Sequence, residues 1–252
     1  GPLPLNTGRV LVECLTGTDA EEDPVRIQTG HGGEGLGDLA GKLPQFEVVD
    51  VEGERLHAAA HAAVAEQHAV AERVEEMRRE FGTARTFACG YSNGGQMVLR
   101  LLFDAPFSLT RACIFASTLG EGDNHAPSNP DGYRPTPLLF FHGTADPYAP
   151  YEGGVAGLDA ERTRGRVLSA PATAEHFALA NGCQPPRDYH PTADVTATAY
   201  DGDFPVELWT MEGLGHVIPS SMKTDPRIGP NTDSFRAVDK VREFFGLDDA
   251  QA

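Results

Sequence analysis

The chain has 252 residues, 40% hydrophobic and 23% charged, which is the balance of a globular protein large enough to bury most of its surface without a disulfide or metal scaffold. Its formal net charge of −17 opposes polyphosphate and anionic lipid, so neither nucleic acid nor a membrane surface is an expected partner. No apolar run reaches the roughly 20 residues that a bilayer-spanning helix needs.

Taken in chain order, Arg9–Leu15 and Val25–Thr29 are strand-like runs on either side of the polar turn Thr18-Asp19-Ala20-Glu21-Glu22-Asp23, which predicts an antiparallel hairpin. Phe46–Val51 is a further strand candidate. His57 to Phe81 is rich in Ala, Glu and Arg, with Val64, Val70, Val74 and Met77 at roughly helical spacing. The strand Arg85–Cys89 runs into a helix over Asn93–Phe103, and Ala112–Ala116 and Pro137–Phe141 are buried-strand patterns. Pro171–Ala180 reads as a helix with proline in its first turn and Asn181-Gly182 as its stop. Val195–Tyr200 and Val206–Met211 are strands around the turn Asp201-Gly202-Asp203, and a helix over Thr232–Phe245 closes the pattern. Strands alternating with helices predict an α/β fold with a mostly parallel central sheet and helices on both faces, as one domain over residues 1–252. The irregular stretches 118–136 and 146–170 follow strand C-terminal ends, where ligand sites form in parallel sheets, and are expected to shape a substrate site.

Cys14, Cys89, Cys113 and Cys183 have no metal-ligand spacing; the first three sit in strand-like runs and read as buried apolar thiols. The start Gly1-Pro2-Leu3-Pro4 lacks the basic and apolar regions of a signal peptide. With no obvious disulfide pair, the expectation leans to the cytoplasm, and a processed N-terminus would leave export open.

The chemistry-bearing signal is Gly90-Tyr91-Ser92-Asn93-Gly94, a G-x-S-x-G motif between a strand and a helix. In that setting the serine sits on a sharp turn with its hydroxyl exposed, and the Asn93 N–H faces a developing oxyanion. A serine nucleophile needs a base, and the base needs an orienting acid. Asp146 follows the strand Pro137–Phe141 through His142-Gly143-Thr144-Ala145, with Asp131 and Asp159 as alternates in less direct positions. The competing reading of Asp146 is a turn-capping aspartate before Pro147. His216, in Gly213-Leu214-Gly215-His216, follows the strand Val206–Met211 and completes the order Ser, Asp, His. Tyr91 and Tyr148 are candidate pocket walls, and His142 is expected to pack or hydrogen-bond beneath the acid loop. His57 and His61 lack an intervening HExxH pattern and read as a solvated helix face, so no metal and no cofactor is expected.

The segments Gly90–Gly95, Phe141-His142-Gly143-Thr144-Ala145-Asp146-Pro147-Tyr148, Ala180-Asn181-Gly182-Cys183 and Gly213-Leu214-Gly215-His216, in this order, resemble the polyhydroxybutyrate-depolymerase-like and feruloyl-esterase-like branch of the α/β-hydrolases. The resemblance spans about 85–219 and implies Ser92, Asp146 and His216 as catalytic triad of a cofactor-free carboxylic-ester hydrolase. Its substrates would be small to medium acyl, hydroxyalkanoate or aryl esters, small molecules in any case; the oligomeric state stays open. Acyl transfer or thioester hydrolysis by the same triad, and a silent binding module, are the alternatives. The family's second oxyanion donor comes from a His-Gly-Gly-type loop. Here Thr29-Gly30-His31-Gly32-Gly33 is the preferred match, with Gly33 or Gly32 as donor and His31 near the substrate; Leu15-Thr16-Gly17-Thr18 is the alternative. Cys183 matches a family cysteine that often has a disulfide partner shortly downstream, and no cysteine follows it in this chain.

Overall fold

The computed structural model describes the backbone of 10–16 and 26–30, scattered positions between 72 and 82, and residues 84–157 and 163–247. The expected strand Phe46–Val51, Asp159, and the loop residues His31, Gly32 and Gly33 lie outside the described residues. So does most of the helix expected over His57–Phe81, of which Glu72, Val74–Glu76 and Arg78–Glu80 are helical.

The sheet-forming strands are β1 (Val10–Thr16), β2 (Arg26–Gly30), β3 (Arg85–Tyr91), β4 (Arg111–Phe115), β5 (Leu138–Gly143), β8 (Arg187–Thr192), β9 (Val195–Tyr200) and β10 (Val206–Met211). They form one eight-stranded sheet in the order β2-β1-β3-β4-β5-β10-β9-β8. The centre, β1-β3-β4-β5-β10, is parallel throughout; β2 joins one edge and β9-β8 the other, all antiparallel. Three helices are named here α1 (Asn93–Asp104), α2 (Ala170–Ala180) and α3 (Ala237–Phe245). A separate hairpin, β6 (Gly154–Gly157) with β7 (Thr163–Val167), interrupts the stretch between β5 and α2.

The central strands are apolar on both faces, as a parallel sheet covered on both sides requires. Their two-residue period sorts the side chains between two cores. Ala88, Ala112, Ile114, Leu138, Phe140 and Leu208 pack with Val98, Leu102, Ala174 and Phe177 of α1 and α2. The intervening Phe87, Cys89, Cys113, Phe115, Leu139, Phe141 and Trp209 pack with Val241, Phe244 and Phe245 of α3. Phe87 stacks on Phe245 at 4.6 Å between ring centroids, and Arg111 donates to the Phe244 carbonyl at 2.7 Å, so α3 is fixed by both packing and a hydrogen bond. Cys89 and Cys113 are buried as expected, whereas Cys183 is half-buried with its thiol on the Phe204 carbonyl.

Two expectations are corrected. The stretch 146–170 contains the β6–β7 hairpin, tied to the preceding loop by Gly120 bridging Val167 and by Arg166 paired with Glu121 at 2.8 Å. The last helix begins at Ala237, not Thr232, because Thr232 and Ser234 spend their hydroxyls on the Asp194 carboxylate and hold the chain out of helical form.

Candidate active site

The C-terminal ends of β3, β5 and β10 lie at one end of the parallel part of the sheet, with β4 between β3 and β5, so the turns that leave them converge. At the end of β3 the chain turns at Ser92, whose φ of 53° and ψ of −119° are strained for a residue with a side chain. The turn is held by the Ser92 N–H on the Phe115 carbonyl at 3.0 Å and by the Gln96 N–H on the Ser92 carbonyl at 3.1 Å. Gly90 has no alternative residue, because a Cβ there would run into the Gly94 carbonyl as α1 starts across the strand. Ser92 is the N-cap of α1, yet its side chain makes no capping bond. Its Oγ lies 2.8 Å from His216 Nε2 instead. Asn93 contributes the first N–H of α1, one of the donors that a helix leaves unsatisfied, in the positive potential of the helix start.

Asp146 and His216 follow adjacent strands, β5 and β10. Asp146 Oδ2 is 2.7 Å from His216 Nδ1, and the carboxylate is fully buried. Its other oxygen accepts the Tyr148 and Ala149 N–H groups, both at 2.8 Å. Turn-capping and histidine-orienting, competing readings from sequence, are therefore divided between the two oxygens of one carboxylate. Beneath them is His142, whose Nε2 donates to the Ala149 carbonyl at 2.8 Å and stands 3.6 Å from Asp146 Oδ2. Complete burial pushes His142 below the usual imidazole range, only partly offset by the Asp146 charge, and keeps it neutral.

The loop that carries His216 is laced to its surroundings. Ala145 donates to the Leu214 carbonyl at 3.0 Å, and Gly213 donates to Thr144 Oγ1 at 2.8 Å, which couples the acid loop to the base loop. From the other side, the His216 N–H donates to the Ile228 carbonyl and Gly215 to that of Pro230. Gly215 is required there, since a Cβ would strike the Ile228 carbonyl. The imidazole lies between two tyrosine rings, Tyr91 at 5.1 Å and Tyr148 edge-on at 5.3 Å. The support from 226–230 carries no sequence signal, because it consists of backbone carbonyls. Among the described residues there is no cluster of three or more His, Cys, Asp or Glu side chains able to hold a metal.

Ser92, Asp146 and His216, singled out from the sequence, thus form one hydrogen-bonded chain. No family model matches this chain. It is 36% identical over 91 residues to a probable carboxylesterase of rice (Oryza sativa subsp. japonica), a match covering 34% of this chain and 39% of that protein. A second rice protein named a probable carboxylesterase is 34% identical over 71 residues, 28% of this chain and 27% of its own length. The chain therefore matches well under half the length of these curated relatives.

The remaining sequence candidates are placed differently. Asp131 is exposed in the loop between β4 and β5, where its carbonyl accepts from Arg134. For the oxyanion loop, strand register separates the two alternatives. Gly30, which leads into His31, Gly32 and Gly33, pairs with Val10, and Val10 pairs with Arg85 at the start of β3. Thr16 instead pairs with Tyr91, the residue before Ser92. The strand before Gly17 ends beside Tyr91, and the strand before His31 ends at the opposite end of the sheet, level with the start of β3. The preferred loop and the Leu15-Thr16-Gly17-Thr18 alternative therefore leave opposite ends of the sheet, and the residues immediately after Thr16 and after Gly30 lie outside the described residues.

Proposed function

We propose that the protein is a serine carboxylic-ester hydrolase of the α/β-hydrolase fold, working through an acyl-enzyme on small to medium acyl, hydroxyalkanoate or aryl esters. The observation that carries the reading is the unbroken chain from Ser92 Oγ to His216 Nε2 at 2.8 Å and from His216 Nδ1 to Asp146 Oδ2 at 2.7 Å. Its setting adds support: a strained serine between a strand and a helix, with acid and base after the parallel strands β5 and β10 in the chain order Ser, Asp, His. The names of the two partial relatives, both probable carboxylesterases, point to the same class.

In this mechanism Ser92 Oγ attacks the ester carbonyl carbon as its proton passes to His216 Nε2. The resulting imidazolium is stabilised by the Asp146 carboxylate, which keeps its own negative charge. The tetrahedral oxyanion is held by the Asn93 N–H and by a second backbone donor, for which the pairing of Thr16 with Tyr91 supports the Leu15-Thr16-Gly17-Thr18 segment. The C–O bond to the alcohol breaks as His216 returns the proton to the leaving oxygen. Water then gives a proton to His216 and attacks the acyl-serine, and the second tetrahedral intermediate collapses as His216 returns that proton to Ser92 Oγ, which releases the acid and restores both residues.

A series of p-nitrophenyl esters from acetate to decanoate, with methyl ferulate beside it, tests the reading. The protein should hydrolyse at least one member of the series, and the preference along it measures the acyl pocket. A folded protein that leaves every ester intact contradicts the assignment.

A further inference from the structure

The two tyrosines beside His216 are held in different ways. Tyr148 turns its hydroxyl away from the triad, onto the Arg227 carbonyl at 3.2 Å. Tyr91 turns its hydroxyl onto the main chain of the base itself, donating to the His216 carbonyl at 2.7 Å. Burial first, then the Asp146 carboxylate and Tyr148, push the Tyr91 hydroxyl up to about 12, so it keeps its proton and remains a donor at any neutral pH. With that proton committed to His216, the hydroxyl has none to offer a substrate.

We propose that Tyr91 is a positioning residue that locks the main chain of His216 to the strand carrying the nucleophile, and not a wall of the substrate pocket. The proposal rests on Ser92 and His216 acting as nucleophile and base. Tyr91 is one peptide bond from Ser92 and is the last residue of β3, paired on its two sides with Thr16 and Phe115 in the parallel centre of the sheet. A closed ring results: Ser92 main chain, Tyr91 side chain, His216 carbonyl, imidazole, Ser92 Oγ. The separation of nucleophile and base is thereby set by the rigid strand.

The other two restraints on His216 cannot replace this one. Asp146 fixes the rotation of the imidazole through Nδ1. The Ile228 carbonyl holds the His216 N–H from a short 3₁₀ turn, Pro226–Ile228, outside the main sheet. The base loop's remaining ties run to the Asp146 loop and to 226–230, and none of them reaches the strand that carries Ser92. A displacement of the base by a fraction of an ångström lengthens the Ser92–His216 bond, which affects proton transfer and leaves ester binding untouched.

Tyr91→Phe keeps the ring and deletes the hydroxyl, and its kinetics across the ester series decide the matter, with Ser92→Ala run in parallel. The expected result is a fall in kcat of about tenfold, equal for short and long acyl chains, with KM within about twofold of wild type. An unchanged kcat, or a KM that rises in proportion to acyl length, overturns the proposal and makes Tyr91 a pocket wall. Ser92→Ala separates the two levels. If it abolishes activity while Tyr91→Phe is normal, the positioning role alone fails; if it leaves activity intact, the triad reading fails and this proposal with it.

Discussion

At Ser92 the side chain is placed by a strained main chain, whereas at Asp146 and His216 the side chains are placed by hydrogen bonds. The serine is driven to a φ of 53° by a strand and a helix that meet so closely that Gly90 has no room for a Cβ. The loops of the acid–base pair are also closely fitted, with no room for a Cβ at Gly215, but their side chains are placed by hydrogen bonds. That placement depends on a carboxylate that accepts from His216 Nδ1 and from the Tyr148 and Ala149 N–H groups, and on a His216 loop tied by main-chain bonds to the 226–230 segment. A sterically held group tolerates no added atom, and an attractively held one tolerates replacement of a charge as long as the shape is kept. Damage on the first side should therefore fall on folding, and damage on the second on chemistry.

The largest effect expected is on the attractive side. Asp146→Asn retains the shape and loses the charge and the correct imidazole tautomer, so kcat should fall by about 10³- to 10⁴-fold. Steady-state kinetics beside a thermal melt would show that loss with the melting temperature close to wild type. A melt that collapses along with activity would erase the distinction between the two sides. Gly90→Ala is the matching change at the nucleophile, and adding one methyl group there should cost about 1–3 kcal/mol of stability, read by urea unfolding. The smallest effect concerns His142. Its folded-state value lies below 6.5, so the unfolded chain binds a proton first, and this residue's contribution to stability is lost as pH falls from 6.5 towards the lowered value. His142→Gln, which keeps a donor for the Ala149 carbonyl, should flatten that part of the stability–pH curve; an unaltered curve would show that buried His142 is not its source.

The same contrast explains what could be read from the sequence. Ser92, Asp146 and His216 are legible because each follows an apolar strand directly, and strand order alone brings the strand ends together. The hairpin β6–β7 is not, because its four- and five-residue strands contain Gly154, Gly157 and Gly165, show no alternation, and carry a register shift between Val155 and Gly157. Edge strand β8 hides for a related reason: Arg187, Asp188, His190 and Pro191 give it no buried face to announce it. The oxyanion loop shows local wording competing with topology. His31-Gly32-Gly33 has the attractive wording, but an antiparallel hairpin returns the chain to the end at which it began. Thr16, one strand earlier, pairs with Tyr91, so the two candidate segments leave opposite ends of the sheet. The Tyr91 tether and the carbonyls of 226–230 have no sequence signature, since main-chain acceptors are common to all residues.

The central claim is that Ser92 is a nucleophile activated by His216, and covalent labelling tests it most directly. A fluorophosphonate should lose fluoride to a single serine, and peptide mass mapping should place the phosphonyl group on Ser92, with no adduct in Ser92→Ala. A folded wild-type protein that stays unlabelled, or that carries the adduct on another residue, would contradict the account.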